Sequence, residues 1–158
     1  MKNLIIITSL LLAAALLGSG CTDQDPAQRA ELLTVNSLEE IEVMLQTRPV
    51  FIEMGAGWCP SCVEQKPIVE ELAAEYGDQV AFVYIDTDKQ SQLAQHFNVY
   101  YIPDLSMIVS SKNGTFNYIT RQGTLTGERQ EAMMVGLTSK NVLEVIIQDT
   151  LKLRSTNT

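Results

Sequence analysis

Apolar positions along this chain fall into blocks of different period, and the period changes where Gly and Pro stand. The first block, Leu4 to Leu17, contains no charge and no proline. It is shorter than the ~20 residues a membrane-crossing helix needs and follows the positive start Met1-Lys2, as in the core of an export signal. Further on, Ser37-Leu38-Glu39-Glu40 forms a capping box ahead of Ile41, Met44 and Leu45, which predicts a helix over about Leu38 to Gln46. Pro49 stops it, and Val50-Phe51-Ile52-Glu53-Met54 reads as a short buried strand. Val69, Leu72, Ala73 and Tyr76 recur at i, i+3, i+4 and i+7, the apolar face of a second helix. That helix is expected to start at Cys59 or Pro60, bend at Pro67 and close at Gly77. Val80 to Ile85 is a continuous β-rich run, the pattern of a strand covered on both faces. A short helix over Ser91 to Phe97 and a strand over Leu105 to Val109 follow. Val142, Leu143, Ile146, Ile147 and Thr150 form the inward stripe of a last helix, capped by Thr138 or Ser139.

A strand–helix–strand unit with buried strands implies a parallel pair and an α/β domain, a central mixed sheet flanked by helices. Between Ser110 and Val135 the turns Lys112-Asn113-Gly114 and Gln122-Gly123 predict one elongated β-ribbon inserted before the last helix. The organisation expected is therefore an export signal over residues 1–20, an anchor and tether over 21–30, and one folded domain over 31–158.

Composition narrows the picture modestly. At 158 residues and 46% hydrophobic, the chain is long enough to bury one core. A formal charge of −8 argues against nucleic acid, which demands clustered Lys and Arg. Cys21 directly follows the small residues Gly18-Ser19-Gly20, and this resembles the lipobox of bacterial lipoproteins, in which the signal is cut before a cysteine that carries lipid. Gly18 departs from that pattern, which usually has a large aliphatic residue three places before the cysteine. The resemblance implies lipidation at Cys21, attachment to a membrane and an extracytoplasmic location, in the periplasm or on the outer cell surface. An ordinary cleaved signal or an uncleaved anchor would place the domain on the same side.

The candidate chemistry is in Trp58-Cys59-Pro60-Ser61-Cys62. A structural zinc site needs four ligands, and the chain has one C-x-x-C pair, a single histidine (His96) and the distant Cys21, so no metal is expected. A purely structural role is also a poor account, because closing so short a loop removes little chain entropy. Disulfide exchange suits the spacing. Cys59 at a helix N-terminus receives unpaired N–H groups and the positive end of the helix dipole, which favour its thiolate. Cys62, one turn along, is placed to resolve the mixed disulfide that Cys59 forms. No cofactor beyond this redox-active disulfide is expected.

From these residues the chain resembles the thioredoxin-fold family over about Leu38 to Leu151. The matching stretches are Phe51-Ile52-Glu53-Met54, Ala56 to Cys62, Pro67, Val80 to Asp86, Val99-Tyr100-Tyr101-Ile102-Pro103, and Val135 to Ser139. The resemblance implies that Cys59 is the nucleophile, that Trp58 shapes the surface beside it, and that Pro103 is a cis-proline facing the disulfide. It also implies that the Ile102 backbone pairs with substrate in strand fashion, and that Glu53 matches a buried acid able to take the proton of Cys62. Phe82 stands where relatives often have a lysine, which leaves that acid without an ammonium. Gly55 replaces a second tryptophan.

The function expected is a thiol–disulfide oxidoreductase of the cell envelope, a membrane-anchored reductase acting on protein disulfides or dithiols. Pro60 and Ser61 would help set its potential, and Trp58, Pro60, Ser61, Ile102 and Pro103 would contact the substrate. A membrane electron donor and a monomeric state are also expected. The alternatives are a disulfide donor or isomerase, or a non-catalytic lipoprotein that binds copper(I) or a protein partner.

Overall fold

A computed structural model describes residues 30–156. The signal over 1–20, Cys21 and the tether up to residue 29 lie outside the described residues. Among the described residues no helix is long and apolar enough to cross a membrane.

The chain enters through β1 (Leu33–Thr34) and α1 (Leu38–Leu45), then β2 (Val50–Gly55), α2 (Pro60–Tyr76), β3 (Ala81–Asp86) and α3 (Ser91–His96). Next come β4 (Asp104–Lys112), β5 (Thr115–Ile119), β6 (Leu125–Thr126), α4 (Arg129–Ala132), β7 (Met134–Val135) and α5 (Lys140–Thr156). The strands form one mixed sheet in the order β1-β3-β2-β4-β5-β6, with β7 also paired to β4. β3 runs parallel to both β1 and β2, whereas β4 is antiparallel to β2, β5 and β7.

Alternation along the buried strands feeds two cores. Phe51, Phe82, Leu105 and Met107 pack with Val69 and Leu72 of α2 and with Leu143, Ile146 and Ile147 of α5. Ile52, Met54, Val83, Ile85 and Ile108 point to the other face, against Ile41 and Leu45 of α1 and Leu93 of α3. Glu53 sits two residues after Phe51 and therefore faces the α2 side.

The caps follow the sequence closely. Ser37 Oγ accepts from the Glu40 N–H, while Glu40 reaches back to the Asn36 N–H. Ser139 rather than Thr138 starts α5, since its carbonyl receives the N–H groups of Val142 and Leu143. Thr138 N–H is taken instead by the buried Gln65 side chain at 2.7 Å.

The span from Ser110 to Val135 opens as the expected ribbon, a β4–β5 hairpin turned at Asn113 and Gly114, both at positive φ. Its second half is more than ribbon. After a turn at Gly123, also at positive φ, come β6, the single turn α4, and β7, which returns to β4 beside Pro103. The physical reason is Arg129. It is buried with Asp104, with which it makes an ion pair, and it donates to the Phe97 carbonyl at 2.8 Å while its guanidinium lies over the Phe97 ring. A buried pair of this kind costs about 3–5 kcal/mol to break from one side, so it pins α4 to the end of α3 and the start of β4.

Candidate functional site

Strand β2 delivers the chain to the C-terminal end of the sheet, where Ala56 to Trp58 form the turn into α2. Cys59 is the N-cap of α2 and Pro60 fills the first helical position, where its missing N–H leaves nothing unpaired. Cys59 and Cys62 are joined in a disulfide with Cα atoms 5.2 Å apart. The Cys59 sulfur also accepts the Cys62 N–H at 3.2 Å, so a first-turn donor of α2 is aimed at it. Cys59 is 5% exposed and Cys62 2%, so both are buried and the second slightly more so. Pro60 and Ser61 are exposed beside them.

The Ile102–Pro103 peptide bond is cis, and the Ile102 carbonyl lies 3.8 Å from the Cys59 sulfur. This turn is held from two sides. Gly136, at positive φ, donates its N–H to the Pro103 carbonyl at 2.8 Å, and β7 pairs with β4 just beyond. Gln65 then ties Thr138 to α2. Trp58, 70% exposed, is fixed by its indole N–H donating to Asp88 at 2.8 Å. A groove of about 630 Å3 runs beside these residues, lined by Trp58, Thr87, Ala94, Asn98, Tyr100 and Ile102.

Glu53 is fully buried, and neither carboxylate oxygen has a hydrogen-bond partner. Desolvation pushes its pKa up to about 8, Lys66 pulls in the opposite direction, and Glu70 adds to the rise. The reading in which Phe82 leaves this acid without an ammonium is therefore corrected: α2 supplies Lys66. Lys66 stands four residues after Cys62, one turn along the same helix. Tyr84 is the other residue that sequence reasoning missed. It pairs in register with Glu53, and Lys66 Nζ stands 5.1 Å from its ring centre. A Cβ at Gly55 would lie 3.2 Å from Cys62 Cβ, Cys62 Sγ and Tyr84 Oη, so a larger residue there makes these neighbours give by a few tenths of an ångström.

The site thus brings together Cys59, Cys62, Trp58, Pro60, Ser61, Ile102 and Pro103, and Glu53 is buried on the strand that leads into it. Cys21 lies outside the described residues. Among them no group of three or more His, Cys, Asp and Glu side chains could hold a metal ion. His96 is exposed, with its ring edge-on to Phe97.

Comparison with known proteins agrees with this geometry. The family model described as Thioredoxin matches residues 32–137. Thioredoxin-like 3-1, chloroplastic, of Arabidopsis thaliana is 34% identical over 83 residues, which is 49% of this chain and 40% of that protein. Thioredoxin 1 of Synechococcus elongatus is 36% identical over 64 residues, 40% of this chain and 60% of its own length. The matches thus span roughly half the length of these curated relatives. Among solved structures, a thioredoxin of Malassezia sympodialis superposes with a TM-score of 0.57 at 22% identity, covering 81% of this chain and 98% of the other. Thioredoxin from Trypanosoma brucei brucei gives 0.57 at 18% identity, with 82% and 98% covered. At these identities the structural likeness speaks for the fold.

Proposed function

The chain belongs to the thioredoxin family, and on that premise we propose that it is a thiol–disulfide oxidoreductase of the cell envelope that reduces disulfides in exported proteins. The observation that carries this reading is the Cys59–Cys62 disulfide capping α2, its first sulfur set against the Ile102 carbonyl at the edge of a groove.

In the reduced protein the Cys59 thiolate attacks a client disulfide, forming a mixed disulfide and releasing one client thiolate. Cys62 then gives its proton to Glu53 in its ionised form, whose share grows as pH approaches about 8, and attacks the Cys59 sulfur. The Cys59–Cys62 bond forms, the mixed disulfide breaks, and the second client thiolate leaves and takes up a proton. Two electrons pass from the dithiol to the client. The extended client backbone lies along the Ile102 turn, with Trp58 and Tyr100 flanking it. A dithiol-type membrane donor restores the reduced state.

The residues between the cysteines support reduction over oxidation. A strong oxidant owes its potential to a stabilised thiolate. Here Pro60 and Ser61 bring no positive charge to provide that stabilisation. The deciding experiment is the reduction potential of the purified protein in defined thiol buffers, with Cys59→Ser and Cys62→Ser as controls. A reductant is expected near or below about −270 mV, the value of thioredoxin; a potential near about −120 mV makes it a disulfide donor and overturns this direction.

The envelope location and the lipid on Cys21 rest on the first 21 residues. Mass spectrometry of the membrane fraction should find residues 1–20 removed and Cys21 acylated, and Cys21→Ser should release the protein from the membrane. An intact N-terminus, or an unmodified Cys21 in soluble protein, removes the anchor from the proposal.

A further inference from the structure

Cys62 borders a second cleft, of about 660 Å3, which shares no lining residue with the groove beside Trp58. Lys66, Tyr84, Asp86, Lys89 and Gln90 line it too. The mechanism above makes no use of this side of the site. Its most telling feature is a glycine. Gly55 lies two residues beyond Glu53 on β2, so its bare Cα faces the same side of the sheet. The place where its Cβ would be is 3.2 Å from Cys62 Sγ and 3.2 Å from Tyr84 Oη. The hydroxyl and the sulfur thus border one small space beside Gly55, each 3.2 Å from the same point, and both line the second cleft.

We propose that the Tyr84 hydroxyl is the hydrogen-bond donor that holds the Cys62 thiolate while it attacks the mixed disulfide. The assignment rests on the oxidoreductase reading and gives its resolving step a further catalytic residue. Lys66, one helical turn past Cys62, stands over the Tyr84 ring, and the hydroxyl of that ring borders the same space beside Gly55 as the sulfur. Burial, with Glu53, Asp86 and Asp88 adding to it, raises the phenol to about 12. A thiolate near the ordinary cysteine range cannot take that proton, so Tyr84 stays a donor throughout. Cys62 loses its proton to Glu53, the Tyr84 O–H closes on the charged Sγ once the disulfide is open, and the charge then passes to the departing client sulfur. Tyr84 begins and ends the step neutral.

The ionisable groups around Glu53 and Tyr84 come from α2, from β3 and, as Asp88 and Lys89, from the turn after β3. α2 contributes Lys66 and Glu70, and β3 contributes Tyr84 and Asp86, the last paired with Lys89 at 2.9 Å. From β4, Leu105 stands in register with Glu53 and is apolar.

The test uses full-length protein carrying Cys59→Ser. Iodoacetamide alkylation is followed against pH by mass spectrometry of the peptide that contains Cys62, so Cys21 does not enter. Tyr84→Phe keeps the ring and removes the donor. Its Cys62 inflection should rise by about one pH unit, and in the Cys59-containing protein the mixed disulfide with a small aromatic disulfide probe should resolve about tenfold more slowly. The first attack, by Cys59, should keep its rate. Gly55→Ala, which retains both side chains and places a methyl between them, is the second variant and should shift Cys62 the same way. If Tyr84→Phe, or Gly55→Ala should Tyr84→Phe not fold, leaves both the inflection and the resolving rate at parental values, the role of Tyr84 is overturned while the enzyme reading stands. A parent protein that does not exchange with the probe at all sinks the oxidoreductase reading, and this role with it.

Discussion

Replacing Cys62 with serine should turn the protein into a trap. Clients accumulate on Cys59 as mixed disulfides, and multiple turnover stops. The two halves of the reaction draw on different parts of the site, which is why the effect is so large. Attack by Cys59 depends on the α2 N-terminus, whose Cys62 N–H is aimed at its sulfur, and on its place between Trp58 and the Ile102 carbonyl. Release depends on a second sulfur one turn along, and serine cannot form the new S–S bond. Non-reducing electrophoresis of cell extracts, followed by mass spectrometry of the adducts, reads the outcome directly. Cys59→Ser should yield no such adducts. Adducts at equal abundance in Cys59→Ser would assign the nucleophile to Cys62 and exchange the roles of the two cysteines.

The second large effect concerns stability. Glu53 ionises near 4.5 ordinarily and near 8 in the fold, because burial disfavours its carboxylate. Between those values the unfolded chain gives up this proton and the folded chain keeps it. The unfolded state therefore binds fewer protons, and stability falls as pH rises through the window. The contribution of Glu53 is intact below about pH 4.5 and is lost by about pH 8, a total on the order of 4–5 kcal/mol. Glu53→Gln has no such slope. Urea denaturation of both oxidised proteins at pH 4, 6, 8 and 9 should show the variant gaining steadily on the parent up to pH 8 and no further. Parallel curves would mean that the carboxylate is solvated in the folded protein. The gain in stability has a functional counterpart: the variant loses the group that accepts the Cys62 proton, so its resolving step should slow.

Much of this was legible in the sequence, for identifiable reasons. α1, α2 and α5 announce themselves through apolar stripes, and β2 and β3 through continuous runs, because each pattern is the direct consequence of burying one or two faces. Cys59 and Cys62 stand out because their spacing matches one helical turn. What escaped is tertiary or very short. β1, β6 and β7 are two residues each, too brief to show a period. α4 is hidden in a polar stretch because Arg129 is charged, and its burial follows only from Asp104 being brought beneath it. Tyr84 looks like one more apolar residue of a core strand until the β2–β3 register sets it beside Glu53. Lys66 is a surface lysine by pattern, and only the packing of α2 on β2 turns it toward the acid. These are the contacts that define the second side of the site.

The Arg129–Asp104 pair also bears on how the chain could be shortened. The hairpin and α4 look like a decoration that could be trimmed to reach a minimal domain. They are keyed into the fold instead, because Asp104 immediately follows Pro103 and takes its counter-charge from the inserted segment. Excising the segment alone would strand a carboxylate next to the residue that confronts the disulfide. The decoration and the reactive end of the molecule therefore form one unit of inheritance, and an engineer who removes the first must also rewrite position 104.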